Sequence, residues 1–243
     1  IAPSRSRDGS TLLMINSHQP LTGPVSWYEA HLQSGEGLNV MGGLFIGAPA
    51  LGVGFNEHHG WGATVNQPDL VDVYVLEMDP EDDNRYRVDG EWLELEAFDI
   101  PIKVLLWGWL PWTVTEKGYR SIHGPVMKTD HGTYALRYAG MDEVRQVEQW
   151  LAMSAATSFE EWREAMALQH IASFNFVYAN ADGDIHFVHN AMMPRRAVGW
   201  QWDQYLPGNR RDLIWDDYLT PDELPSVTNP PSGYVHSANQ SPF

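Results

Sequence analysis

Asn16-Ser17-His18-Gln19 gathers two amides, a hydroxyl and an imidazole in four consecutive positions, and Pro20 ends the run. Leu12 to Ile15, just before it, are apolar, which predicts a short strand that delivers a polar tip and then turns. Such a tip is suited to holding groups that exchange protons or hydrogen bonds with a reacting molecule. The ten histidines raise the question of a metal. Glu57-His58-His59 lacks the i, i+4 helical spacing that sets two imidazoles on one face, and Gly60 follows at once, so it does not read as a zinc site. His186 and His189 lie three apart in a strand pattern and point to opposite faces. Asp69 and Asp72, with Asn66 and Gln67 nearby, carry oxygens that suit a calcium ion. The alternative, which their setting favours, is that they serve as turn and strand-end hydrogen-bonding residues. No Gly-x-Ser-x-Gly elbow, Walker loop or dinucleotide fingerprint is present, and no interior serine sits in a context that marks a nucleophile.

The elements that must position these residues read mostly as strands. Thr11–Asn16, Leu51–Phe55, Gly62–Val65, Val71–Glu77, Ile100–Leu106 and Tyr134–Tyr138 are short, apolar or alternating, and bounded by Gly, Pro, Asn or Asp. Phe174–Tyr178 and Ile185–His189, joined through Ala181-Asp182-Gly183, predict a hairpin, because Asp-Gly between alternating arms favours a tight turn. Two helices are expected. Asp142–Met153 places Val144, Val147 and Leu151 on one stripe. Ser158-Phe159-Glu160-Glu161 is a capping box that opens a second helix over Phe159–Gln169, burying Phe159, Trp162 and Met166. From about Met192 to Ser232 the chain is rich in Pro, Trp and Asp with little periodicity, which predicts a long ordered excursion returning at Gly233-Tyr234-Val235. No repeat, low-complexity tract or convincing linker divides the chain, so residues 1–243 are read as one domain.

Composition narrows the function classes. Fifteen Lys and Arg against 32 Asp and Glu give a net charge of −17, a surface that repels nucleic acid and anionic lipid. Arg195-Arg196 and Arg210-Arg211 lie among aspartates and read as a solvated loop, not a phosphate site. With 43% hydrophobic and 19% charged residues the chain carries a sizeable core. The absence of cysteine excludes disulfides and thiolate metal sites. The longest apolar run, Val104 to Trp112, is interrupted by Gly108 and Pro111 and is too short to span a membrane. Ile1 shows no signal peptide, and the first residues read like the interior of a longer protein.

A series of short motifs resembles, in order and spacing, the catalytic chain of penicillin acylases and the related acyl-homoserine-lactone acylases. It starts with Pro3-Ser4-Arg5-Ser6 and Asp8-Gly9, then Asn16-Ser17-His18-Gln19-Pro20 and Trp27-Tyr28-Glu29-Ala30-His31-Leu32. Gly42-Gly43, Gly47-Ala48-Pro49 and Gly54-Phe55-Asn56 follow, then Trp61-Gly62-Ala63-Thr64-Val65-Asn66 leading to Asp69 and Asp72-Val73-Tyr74. His123-Gly124-Pro125, then Asn175 with Tyr178-Ala179-Asn180-Ala181-Asp182-Gly183, continue the series. Asn239-Gln240-Ser241-Pro242 closes it. Each motif is weak alone; their order over the whole length makes the resemblance specific.

The resemblance implies an α+β N-terminal-nucleophile hydrolase fold, a four-layer αββα sandwich of antiparallel sheets, of which this chain is the N-terminal part of the catalytic (beta) subunit. It implies an amidohydrolase that cleaves an N-acylated small molecule, such as a penicillin or an N-acyl-homoserine lactone. In that chemistry an N-terminal serine attacks and its own α-amino group is the base; here the serine is expected a handful of residues upstream of Ile1. The oxyanion donors implied are the backbone N–H of Val65 and the side-chain amide of Asn239. His18, or Gln19 depending on the branch, would lie against the nucleophile. Pro20, Val53, Ala63 and Phe174 would line the acyl pocket. No cofactor is required, and a structural calcium ion at Asp69 and Asp72 is the one metal considered. The implied partners are an alpha subunit and the rest of the beta subunit from the same precursor, in the periplasm or secreted from a bacterium. The isolated chain is expected to hydrolyse nothing. The competing reading is a non-catalytic β-rich module that binds a hydrophobic ligand or partner. A catalytic role requires His18, Val65 and Asn239 to converge near Ile1; a binding module does not.

Overall fold

β1 (Trp27–Gln33), β2 (Asn39–Phe45), β3 (Val53–Phe55) and β4 (His59–Thr64) follow one another as an antiparallel meander. Next come β5 (Val71–Val75), β6 (Met78–Asp79), β7 (Asp82–Val88), β8 (Glu91–Glu94), β9 (Glu96–Leu106), β10 (Leu110–Ser121), β11 (Gly124–Thr129) and β12 (Gly132–Tyr138). The helices α1 (Gln146–Ala155) and α2 (Phe159–Ala167) precede β13 (Ser173–Asn180), β14 (Ile185–Ala191), β15 (Leu206–Pro207) and β16 (Ser226–Thr228). This computed structural model describes every residue except Ser17, which belongs to the polar tip, and Phe243.

The chain forms two compact units. The first comprises residues 1–68, 142–193 and 218–243, and the second residues 69–141 and 194–217. In the first unit, seven strands run in the order β1-β2-β3-β4-β13-β14-β16. Its core joins Met153 of α1 and Trp162, Ala165 and Met166 of α2 to Trp61, Phe176 and Tyr178 of the sheet. In the second unit, a six-stranded sheet ordered β15-β5-β12-β11-β10-β9 and a three-stranded sheet ordered β6-β7-β8 enclose a core around Tyr74, Tyr86 and Leu206. Among the described residues, all pairings are antiparallel except that of β15 with β5.

The predicted hairpin forms β13 and β14, with Ala179 opposite Ile185 and Gly183 at φ 107°, a conformation the missing Cβ permits. α2 opens where the capping pattern placed it, and Ser158 Oγ accepts from the Glu161 backbone N–H at 3.2 Å. The Glu161 carboxylate, however, accepts from Thr157 N–H at 2.8 Å, one residue earlier than a standard capping box. α1 departs further from expectation. It starts at Gln146, because Glu143 takes the Arg145 backbone N–H (2.7 Å) and guanidinium and so closes a turn there. Its buried face is Gln149, Met153 and Ser154; Val144 is 87% exposed, and Leu151 is also exposed.

Thr11–Asn16 is extended but is not a strand of the seven-stranded sheet. Gly60 and Gly62 alternate on one face of β4, and a Cβ at either would meet Leu13 (2.8 Å) or Ile15 (3.3 Å). Residues 11–16 therefore lie over that face, in a second layer. Ile1 pairs with this segment: its backbone nitrogen donates to Leu12 O and Leu12 N–H donates to Ile1 O, at 2.9 and 3.0 Å.

Candidate active site

β4 ends at Thr64, and Val65, half exposed at 51%, follows it at the rim of a cavity of about 540 Å³ in the first unit. His18, Gln19, Ala63, Val65, Phe174 and Asn239, all expected from the sequence, line that cavity. The other two expected pocket residues do not. Pro20 is exposed, and Val53 lies in β3 opposite Gly43. His18 also borders a second groove, of about 920 Å³, which Ile1 lines.

His18 and Asn239, 221 positions apart, meet with His18 Nδ1 3.3 Å from Asn239 Oδ1. A carboxamide oxygen only accepts, so a hydrogen bond here takes the imidazole tautomer with its proton on Nδ1, and it does not use the Asn239 Nδ2 donor. Both residues have left-handed backbones, φ 47° for His18 and 64° for Asn239. His18 is turned by an Asx contact, its N–H donating to Asn16 Oδ1 at 3.4 Å.

Four Trp and Phe rings stand in the cavity wall, and of these the sequence pointed only to Phe174. Trp27 and Phe45 are ladder partners across β1 and β2 and stack with centroids 4.5 Å apart. Trp150 of α1 meets Phe174 edge to face at 6.0 Å. The sequence signal for this wall is Gly52: a Cβ there would come within 2.9 Å of the Trp27 ring. Gly52→Ala should cost about 1–3 kcal/mol, since the stacked indole must move to admit a methyl. Urea denaturation followed by tryptophan fluorescence would measure the loss, and an unchanged midpoint would show that the wall yields freely.

Asp69 and Asp72 lie in the second unit, where Arg196 bridges them: Nη1 is 3.0 Å from Asp69 Oδ2 and Nε 2.9 Å from Asp72 Oδ2. Trp215 Nε1 donates to the same Asp72 oxygen at 2.5 Å. Burial pushes the Asp72 carboxyl up, opposed by Trp215 and Arg196. A guanidinium thus holds the place between the carboxylates, and calcium seeks six to eight oxygens. Among the described residues no group of three or more His, Cys, Asp or Glu could hold a metal ion. The residues present do not fit that ion.

The family model for penicillin amidase matches residues 1–243. The chain belongs to the penicillin amidase family. An acyl-homoserine lactone acylase PvdQ of Pseudomonas fluorescens is 31% identical over 202 residues, 80% of this chain and 26% of the relative. The penicillin G acylase of Escherichia coli is 29% identical over 248 residues, covering 100% of this chain and 28% of that protein. A thermostable penicillin G acylase from Alcaligenes faecalis has a similar structure, with a TM-score of 0.84 at 25% identity over 100% of this chain and 43% of that one. The α+β fold of N-terminal-nucleophile hydrolases expected from the sequence is therefore present in part, as mostly antiparallel sheets with few helices. The chain spans about a quarter of the length of these two curated relatives. Among the described residues, no helix is long and apolar enough to cross a membrane.

Proposed function

We propose that this chain is the front part of the catalytic subunit of an amidohydrolase that cleaves the amide of an N-acylated small molecule. The observation that carries this reading is the meeting of His18, Val65 and Asn239 at the rim of one aromatic-walled cavity. An acyl chain fits the apolar wall, and its carbonyl would lie between the Val65 N–H and the Asn239 amide, both able to donate to a developing oxyanion. His18 holds the amide of Asn239 by its oxygen. The cavity takes either a phenyl-bearing or an aliphatic acyl group, so penicillins and acyl-homoserine lactones both remain within the class.

The attacking group in this reading is an N-terminal serine upstream of Ile1, with its own amine as base. The pairing of Ile1 with Leu12 supports it. An antiparallel strand running back from Ile1 along Leu12–Asn16 comes level with His18 about six residues upstream, since Leu12 and His18 are six apart. That path lies in the groove bordered by Ile1, Met14, Asn16 and His18. The proposed assembly is completed by the rest of the beta subunit and an alpha subunit from one precursor, in the periplasm or secreted. It needs no cofactor.

Two measurements test the reading. The purified 243-residue chain should hydrolyse an N-acyl 4-nitroanilide no faster than buffer, because oxyanion donors without a nucleophile assist only attack by water. The full-length protein should hydrolyse it and lose turnover when the upstream serine is replaced by alanine. Turnover by the isolated chain, or an unaffected serine variant, would refute the reading.

A further inference from the structure

The geometry points to Asn175 as a positioning residue that holds both oxyanion donors in place, and this rests on the oxyanion reading above. Asn175 is fully buried in β13, opposite Thr64 of β4 and His189 of β14. A carboxamide in a sheet interior is costly unless both of its ends are paired. Here each end reaches a different segment. Its Oδ1 accepts from Asn66 Nδ2 at 2.7 Å, while its Nδ2 donates to Gln240 O at 3.0 Å and Ser237 Oγ at 3.3 Å.

Those partners flank the two donors. Val65 lies between Thr64 and Asn66, and Asn239 lies between Ser237 and Gln240. Val65 and Asn239 are themselves exposed, and residues 237–240 belong to no strand, so their aim depends on their neighbours. Three further contacts tighten the frame. Thr64 Oγ1 is 2.5 Å from Ser237 Oγ, Ser173 Oγ donates to Asn66 Oδ1 at 2.8 Å, and His189 Nδ1 lies 2.8 Å from Asn66 Nδ2. Burial holds the His189 imidazole down to about 4, so the ring is neutral and brings no charge into the network at working pH. The network ends in neutral dipoles fixed before substrate arrives, as oxyanion stabilisation requires.

The test uses the full-length acylase and a chromogenic N-acyl 4-nitroanilide. Asn175→Asp keeps the shape but turns an acceptor toward Gln240 O and Ser237 Oγ. It should lower kcat about 10–100-fold and leave KM within about threefold, because misplacing the donors weakens the transition state more than substrate binding. Ser237→Ala, at a half-buried and more tolerant position, should lower kcat about 3–10-fold in the same way. Combining either change with Asn239→Ala should lose less than the product of the two single losses, since the part of each effect that runs through Asn239 is gone and only the part that runs through Val65 remains. A merely structural asparagine would instead lower the melting temperature and multiply with Asn239→Ala. Multiplicative losses, or wild-type kcat in both Asn175→Asp and Ser237→Ala while Asn239→Ala is impaired, overturn the proposal. If Asn175→Asp does not fold, Ser237→Ala and its double variant decide. Full activity of Asn239→Ala would instead remove the oxyanion reading, and this proposal with it.

Discussion

Asn239→Ala in the intact enzyme should lower kcat by about 10²–10³, roughly 3–4 kcal/mol, with KM nearly unchanged. As the acyl carbonyl becomes tetrahedral, its oxygen gains negative charge, and a fixed amide N–H stabilises that oxyanion more than the neutral carbonyl. The loss therefore falls on the transition state and not on substrate binding. Asn239 is exposed at the cavity rim, so its removal should leave the fold and the melting temperature intact. His18→Ala should cost less, because His18 touches the donor's oxygen and the nucleophile's own amine still takes the proton. Steady-state kinetics on a single N-acyl 4-nitroanilide compares the three enzymes directly. Near-normal kcat in Asn239→Ala would show that another group holds the oxyanion.

Acid should unfold both units well before their carboxylates titrate. His59, His123, His186 and His189 are buried, and desolvation, the leading cause in each, holds all four down to about 4. In the unfolded chain a histidine titrates near 6.5. Between these values the unfolded chain binds protons that the folded chain refuses, so the stabilisation is present above pH 6.5 and is lost as pH falls toward 4. Each histidine contributes up to about 3 kcal/mol to that loss. The urea midpoint should therefore hold from pH 8 to 7 and fall steeply from pH 6.5 to 4.5; a flat profile to pH 5 would exclude the mechanism. His123 offers a control in the second unit. It packs 4.7 Å from Tyr74, and among the described residues neither ring nitrogen has a hydrogen-bond partner. His123→Phe should then hold stability at pH 7 and flatten that unit's acid response.

Where a signal is local, it was legible. Asp182-Gly183 between alternating arms specified the β13–β14 hairpin, and Ser158 with Glu161 specified the start of α2, because turns and caps are closed by residues a few positions apart. The ordered motifs carried the family. The strands at Trp27–Gln33 and Asn39–Phe45 were not anticipated, since their runs of glycine and polar residues do not alternate cleanly. The stripe expected on α1 failed for a different reason. Val144 and Leu151 have helical spacing, yet the packed face is set by Gln149, whose side chain accepts from the backbone N–H groups of His170 and Ile171. One buried polar residue can outweigh an apolar stripe when its bonds satisfy an otherwise orphaned backbone.

By itself the sequence determined the family, the turn that presents His18, and most of the cavity's polar rim, all properties of residue identity and order. Tertiary structure decided the rest. It set Trp27 and Phe45 into the wall, placed Arg196 between Asp69 and Asp72, and made Asn175 the link between residues 66 and 240. These contacts join groups roughly 20 to 125 positions apart, and no local pattern encodes which distant partner will satisfy a buried amide or carboxylate. That choice follows from the cost of leaving a buried amide or carboxylate unpaired once a sheet has closed around it.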